Sequence, residues 1–256
     1  MSSAQFKQTG TRIMKLQARD IEYRCNDTLH RGYLACDEGC GEPVPGVLVV
    51  HEWWGINDYT RQRCEMLAGL GYCALGIDLY GNGYRADNPD QAGAAMNSVL
   101  ADINVATERL RAGLGTLLAQ PNVDPGKTAA IGYCFGGAMV LHMARVGMPL
   151  SAVVSFHGLL APFHTPGPGE IRARVLVCHG EDDAMVSMDD VAAFQSEMDG
   201  VGADYRVIVH KGAGHGFTSK AADTNAERHG IPVGYNAAAD RESWEAMQAL
   251  FSSAWG

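Results

Sequence analysis

The sequence predicts one α/β domain built on a doubly wound, mainly parallel sheet that is entered through an N-terminal antiparallel hairpin. Three observations carry this expectation. From residue 46 onward, short apolar runs alternate with amphipathic stretches at helical spacing, the order from which parallel sheets with helices on both faces are built. The strand runs, "GVLVVHE" and "ARVLVCHG" among them, are almost unbroken in apolar residues, as strands covered on both faces are. The 256 residues, 46% hydrophobic and 19% charged, suffice for one large core, and no repeat or shift in composition marks a second domain. Residues 1–256 are therefore read as a single domain, with residues 1–19 expected to be a poorly ordered extension.

The elements follow in order. "DIEYRCNDTLHRGYLAC" holds two β-type runs broken at Asn26-Asp27, a hairpin turn. "GVLVVHE" begins the parallel strands. "DYTRQRCEMLAGLG" is an amphipathic helix that Asn57 or Asp58 can cap and Gly71 can stop. "YCALGIDL" is a strand, residues 88–120 are a long helical region, "KTAAIGY" is a strand, and "GGAMVLHMARVG" is a helix ended by glycine. "SAVVSFHG" is a strand and "LLAPFHTPGPG" a loop. Then come a strand in "ARVLVCHG", a helix in "MDDVAAFQSEMDGVG", a strand in "DYRVIVHKG" and a closing helix in "NAAADRESWEAMQALFSSAW".

Composition excludes several function classes. The formal net charge of -9 gives no electrostatic footprint for nucleic acid or anionic lipid. No uncharged apolar run is long enough to cross a bilayer, and the N-terminal stretch has no apolar core of a signal peptide. The seven cysteines, odd in number and scattered over the elements, read as reduced thiols in a cytoplasm. Cys36 and Cys40 lack a second Cys/His pair at metal-ligand spacing. "HEWW" lacks the second histidine of a zinc motif, since position 55 is glycine. "PGKT" lacks the first glycine of a phosphate loop, and a strand follows it instead of a helix.

"IGYCFGGAMV", residues 131–140, carries the chemistry. A strand, then glycine-x-nucleophile-x-glycine, then a helix describes a nucleophile elbow, and Gly132-Tyr133-Cys134-Phe135-Gly136 fits it. The chain must turn sharply there, and flanking glycines avoid clashes with the displayed residue. The N-terminus of the following helix favours a thiolate on Cys134. Taken alone, the pattern fits a buried structural cysteine equally well. Partners in the right order decide the matter.

An acidic turn after the strand of "VLVCHGEDDAMVS" supplies Asp182 or Asp183, and the spacing Gly180-x-x-Asp183-x-x-Val186 favours Asp183. A glycine-flanked histidine, His215, follows the strand of "VIVHKGAGHGF". Each lies beyond the carboxyl end of a strand, as Cys134 does, and those ends share one edge of the sheet. His215 can then act as base for Cys134, oriented by the acid. "VVHEWWGIND" ends the first parallel strand on the same edge. The backbone N–H groups of Trp53 and Phe135 are the candidates for an oxyanion hole. Glu52 beside them opposes a thiolate by its charge, so it is either a base for the thiol or a residue that orients the loop.

With "HEWWGIND", "GYCFGG", "CHGEDDAMV" and "GAGHGF" in place, the chain resembles the dienelactone hydrolase family of the α/β-hydrolase superfamily, over nearly its whole length. The resemblance implies a Cys-His-Asp triad of Cys134, His215 and Asp183, with Glu52 holding the thiol proton until substrate displaces it. It also implies a thioester acyl-enzyme, a small ester or lactone substrate, and no metal or organic cofactor.

The chain departs from the family in one respect. Ser219 stands near the place of one substrate-binding arginine, and "DNPDQAGAAMNSV" lacks the other. Arg85 is the candidate substitute, and His157 and Phe163 are candidates to line the pocket. A less anionic ester or lactone is then as good a substrate as a dienelactone. A general carboxylesterase or thioesterase on the same triad, and a non-catalytic scaffold that binds a small ligand, are the competing readings.

Overall fold

The computed structural model describes residues 15–37 and 42–256. The elements are β1 (Leu16–Cys25), β2 (Thr28–Asp37), β3 (Val44–Val50), α1 (Asp58–Gly69), β4 (Cys73–Ile77), α2 (Pro89–Leu100) and α3 (Ile103–Leu118). They continue with β5 (Val123–Tyr133), α4 (Phe135–Arg145), β6 (Ala152–Phe156), β7 (Arg174–Gly180), α5 (Met188–Val201), β8 (Tyr205–His210), α6 (Ala222–His229) and α7 (Ala237–Trp255). They form one eight-stranded sheet in the order β1-β2-β4-β3-β5-β6-β7-β8. β1 and β2 are antiparallel, β2 joins β4 antiparallel, and every pairing from β4 to β8 is parallel.

The predicted hairpin turns at Asn26, which adopts φ +51°. Of the extension expected at residues 1–19, Leu16–Arg19 belong to β1 and residues 1–14 lie outside the described residues. The predicted helical region 88–120 is two helices. Its break falls at Ala101-Asp102, where the Asp102 side chain accepts from the Asn104 N–H and starts α3. α6 has no counterpart among the predicted elements. "PGKT" lies within β5, at the start of the strand.

The core has two layers, one on each face of the sheet. Leu48, Val50, Leu75 and Val153 face one way, toward α3 and α4, and Val47, Val49, Ile131 and Val154 face the other, toward α1 and α7. The alternation of neighbours along each strand is the period-two geometry of a sheet buried on both sides. α4 runs through the centre with all eleven residues buried.

The seven cysteines are not all reduced thiols. Cys36 and Cys73 face each other across the β2–β4 pair and form a disulfide. Cys25, Cys64, Cys134 and Cys178 are free, and Cys40 lies outside the described residues. Among the described residues no helix is long and apolar enough to cross a membrane.

Candidate active site

The carboxyl ends of β3, β5, β7 and β8 meet at one edge of the sheet, and each delivers one group. β5 ends at Tyr133, and Cys134 turns the chain into α4 with φ +52° and ψ -115°. A non-glycine residue in that region is strained, and the neighbours hold it there. The Cys134 N–H donates to the Phe156 carbonyl at 3.0 Å, and the Cys134 carbonyl accepts from the Ala138 N–H at 3.2 Å. The glycines earn their places by close approach. A Cβ on Gly132 would lie 2.1 Å from the Gly136 carbonyl oxygen, and one on Gly136 would lie 2.2 Å from that of Val50. Cys134 therefore sits at the positive end of a buried helix, on a turn that admits no side chain on either flank.

The turn after β7 carries Asp183. Its Oδ1 accepts from the N–H groups of Met185 (2.8 Å) and Val186 (3.0 Å), and its Oδ2 pairs with His215 Nδ1 at 2.9 Å. Burial raises the pKa of this carboxyl, but the His215 hydrogen bond and charge and the two N–H donors outweigh it and hold the group below its ordinary value. Asp182 is exposed, and its backbone N–H goes to the Ala213 carbonyl. Asp183 is thus the residue that meets the histidine.

His215 follows β8 and is 2% exposed. Its Nε2 has no nitrogen or oxygen partner. The group acting on it is the Cys134 side chain. Burial lowers the pKa of the imidazole, while the charge of the Cys134 sulfur and the bond to Asp183 raise it by more. The histidine loop is tied down as well. His215 bridges to Val233, and its carbonyl accepts from the Gly234 N–H at 3.0 Å.

Glu52 follows β3. It is buried, and its carboxyl makes no hydrogen bond among the described residues. Burial pushes its carboxyl up to about 7, against the opposing pull of His215 and Arg63. His51 beside it spends both ring nitrogens on the backbone, one on the Glu52 carbonyl and the other accepting from the Leu79 N–H. The N–H groups of Trp53 and Phe135 have no acceptor among the described residues, and the Trp53 carbonyl accepts from the Tyr80 hydroxyl at 2.8 Å. Two free donors therefore flank the thiol.

Cys134, His215 and Glu52 open into one cavity of about 130 Å³. Of the candidate substrate contacts, none lines it. Arg85 is exposed in an adjoining cleft that shares Glu52, Trp54 and Ser219 with the cavity. Phe163 packs edge-on against His142. His157 is fully buried behind His215, 5.2 Å between ring centroids, and its Nε2 shares a 2.7 Å hydrogen bond with the Thr218 hydroxyl.

Sequence reasoning missed the polar group behind the site. The Thr218 hydroxyl also bonds the Tyr59 hydroxyl at 2.6 Å, and the buried Arg63 donates to the Thr218 carbonyl at 2.8 Å. These residues lie some 155 positions apart, so no local spacing could have signalled them.

Comparisons with known proteins give the family and the fold. The family model described as "Dienelactone hydrolase family" matches residues 30–255. A crystal structure of a dienelactone hydrolase-like promiscuous phosphotriesterase from metagenomic libraries superposes with a TM-score of 0.89. It is 39% identical, over 94% of this chain and 99% of that one. "Protein usf" of Aquifex pyrophilus is 28% identical, over 90% of this chain and 96% of its own. "Putative carboxymethylenebutenolidase" of Aquifex aeolicus is 28% identical, over 91% and 97%. With this fold, this sheet edge and a family match across most of its length, the chain is a carboxylic ester hydrolase of the α/β-hydrolase fold and belongs to the dienelactone hydrolase family.

Proposed function

We propose that the enzyme hydrolyses a small carboxylic ester or lactone through a Cys134–His215–Asp183 triad and a thioester acyl-enzyme. The observation that carries this reading is the elbow itself: a free cysteine at φ +52° on a helix N-terminus, sharing its cavity with a histidine that Asp183 holds at 2.9 Å. Glu52, whose carboxyl burial pushes up to about 7, takes the thiol proton when substrate enters. The thiolate attacks the ester carbonyl carbon and forms a C–S bond, and the carbonyl oxygen takes the negative charge between the Trp53 and Phe135 N–H groups. As the C–O bond breaks, the imidazolium of His215 gives its proton to the departing alkoxide. Water then attacks the thioester and loses a proton to His215, and the C–S bond breaks to restore the thiolate. In a lactone the alkoxide stays tethered, and one hydroxy acid leaves.

The test is hydrolysis of p-nitrophenyl acetate by wild type and Cys134→Ala, with intact-mass analysis of the quenched wild type. Release of p-nitrophenol by the wild type, an acetyl group on Cys134, and a fall of about 10³-fold or more in the variant are expected. Equal rates in both proteins would remove Cys134 from the mechanism. A second reading, cleavage of a neutral phosphotriester at the same sulfur, is favoured by the 39% identity to the metagenomic phosphotriesterase. Diethyl p-nitrophenyl phosphate in the same assay checks it, and no release above the Cys134→Ala background would discard it.

A further inference from the structure

The walls of the catalytic cavity say what kind of ester can enter. Trp53, Trp54, Met96, Ile231 and Val233 face it, and no lysine or arginine does. Its polar side chains, apart from the catalytic ones, are Ser219 and Asn225. The one group there able to carry a positive charge is His215, and its charge is already matched by Asp183 and by the thiolate. Glu52 adds a carboxyl of the opposite sign. A carboxylate brought into this space would lose its water and gain no cation, an unfavourable exchange.

The mouth of the cavity has the same character. Leu159 and Met185, which line it, are 38% and 43% exposed. Two of the exposed large apolar side chains among the described residues thus line this one cavity. Unpartnered apolar side chains continuous with a catalytic cavity fit an apolar substituent that extends past it. The adjoining cleft holds Arg85 and Arg228, both exposed, but Asp58 and Asp87 line it too, so it presents no net cation.

From these walls we infer that the substrate is an uncharged ester whose apolar acyl chain leaves the cavity over Leu159 and Met185, and that anionic esters are excluded. This rests on the hydrolase reading above and adds the substrate class to it.

The experiment compares kcat/KM for p-nitrophenyl heptanoate with that for mono-p-nitrophenyl adipate, whose acyl chain has the same reach and ends in a carboxylate. The wild type is expected to prefer the neutral ester by about 30-fold or more, on the order of 2 kcal/mol at 1.36 kcal/mol per decade. Met185→Lys, a change at an exposed position, is expected to shrink that ratio at least about fivefold by supplying the missing cation. An adipate ester turned over as fast as the heptanoate, or faster, overturns the inference. So does an adipate activity that vanishes in the Arg85→Ala/Arg228→Ala double variant, which would give recognition to the adjoining cleft. If neither ester is hydrolysed while iodoacetamide still labels Cys134, the hydrolase reading itself falls and takes this one with it.

Discussion

The turn after β3 and the turn after β7 each bring a buried carboxyl group to the same histidine, and they leave the two groups in opposite states. Asp183 has two backbone N–H donors on one oxygen and His215 on the other. The Glu52 carboxyl has no hydrogen bond among the described residues and feels His215 only through space. Both are less than a tenth exposed, so depth does not separate them. Donors do. A carboxylate that is given three donors keeps its charge inside a protein, and one given none takes up a proton. His215 thereby meets a carboxylate that its donors keep ionised, and it shares the cavity with a second acid poised near neutrality.

The largest effect that breaks this contrast comes from removing the charge of Asp183 while keeping its shape. In Asp183→Asn, the amide oxygen can still accept from Met185 and Val186. The amide nitrogen then faces His215 Nδ1 and favours the wrong tautomer. Steady-state kinetics should show kcat/KM down by about 10²–10⁴-fold with the fold intact by circular dichroism. A loss under tenfold would mean that Asp183 is a turn residue only.

The next effect is on stability. Glu52 is raised in the folded protein from an ordinary 4.5 to about 7. Its contribution is therefore fully present below 4.5 and is lost as pH rises through 7, where the buried carboxyl must ionise. Asp183 is shifted down, so its contribution is present above its ordinary 3.8 and is lost as pH falls through its lower folded value. The two groups load opposite ends of the pH axis. Glu52→Gln should gain on wild type between pH 5 and pH 8 by roughly 2 kcal/mol, read as about 4–8 °C in Tm by differential scanning calorimetry. A constant gap across that range would show Glu52 to be charged throughout.

The smallest effect sharpens the same point at the sulfur. On the proposed pairing of Glu52 with the thiol, ionisation of the Glu52 carboxyl slows the reaction of Cys134. Alkylation of Cys134 by iodoacetamide, followed on its own peptide by mass spectrometry, should be about threefold faster in Glu52→Gln at pH 8 and nearly unchanged at pH 5.5. Equal rates at both pH values would separate Glu52 from the thiol.

The sequence shows the catalytic edge of this molecule far better than the walls around it. Gly132, Cys134 and Gly136 announce the elbow because a Cβ on Gly132 would meet the Gly136 carbonyl oxygen at 2.1 Å within the turn, and one on Gly136 would meet that of Val50 on β3 at 2.2 Å. Asp183 can be preferred to Asp182 for a similar local reason, since it must turn back to the N–H groups two and three residues on. The walls have no such local cause. α6 shows little apolar pattern, with Ala222 its one buried residue and no side-chain cap at its start, so nothing in "ADTNAERH" marks it as a helix. The break between α2 and α3 hides within a continuous helical pattern and is marked only by Asp102 as a cap. Cys36–Cys73 is a pairing that no spacing encodes. His157 and Phe163 look like pocket residues because they follow a strand on the catalytic edge. One turns behind the base and the other against His142, choices made by packing across the fold.

The bridge from His215 to Val233 has a consequence for how this enzyme can be redesigned. One wall of the cavity, around Ile231 and Val233, is stitched to the backbone of His215, whereas Leu159 stands on the loop after β6. A change of shape at Val233 moves the proton carrier along with the wall, so binding and chemistry shift together. A change at Leu159 can re-cut the opening alone, whereas the Met185 N–H holds Asp183, so a change there reaches the acid as well. Directed evolution of this scaffold should therefore accumulate its selectivity changes at Leu159, with the Ile231–Val233 wall acting as the fixed jaw.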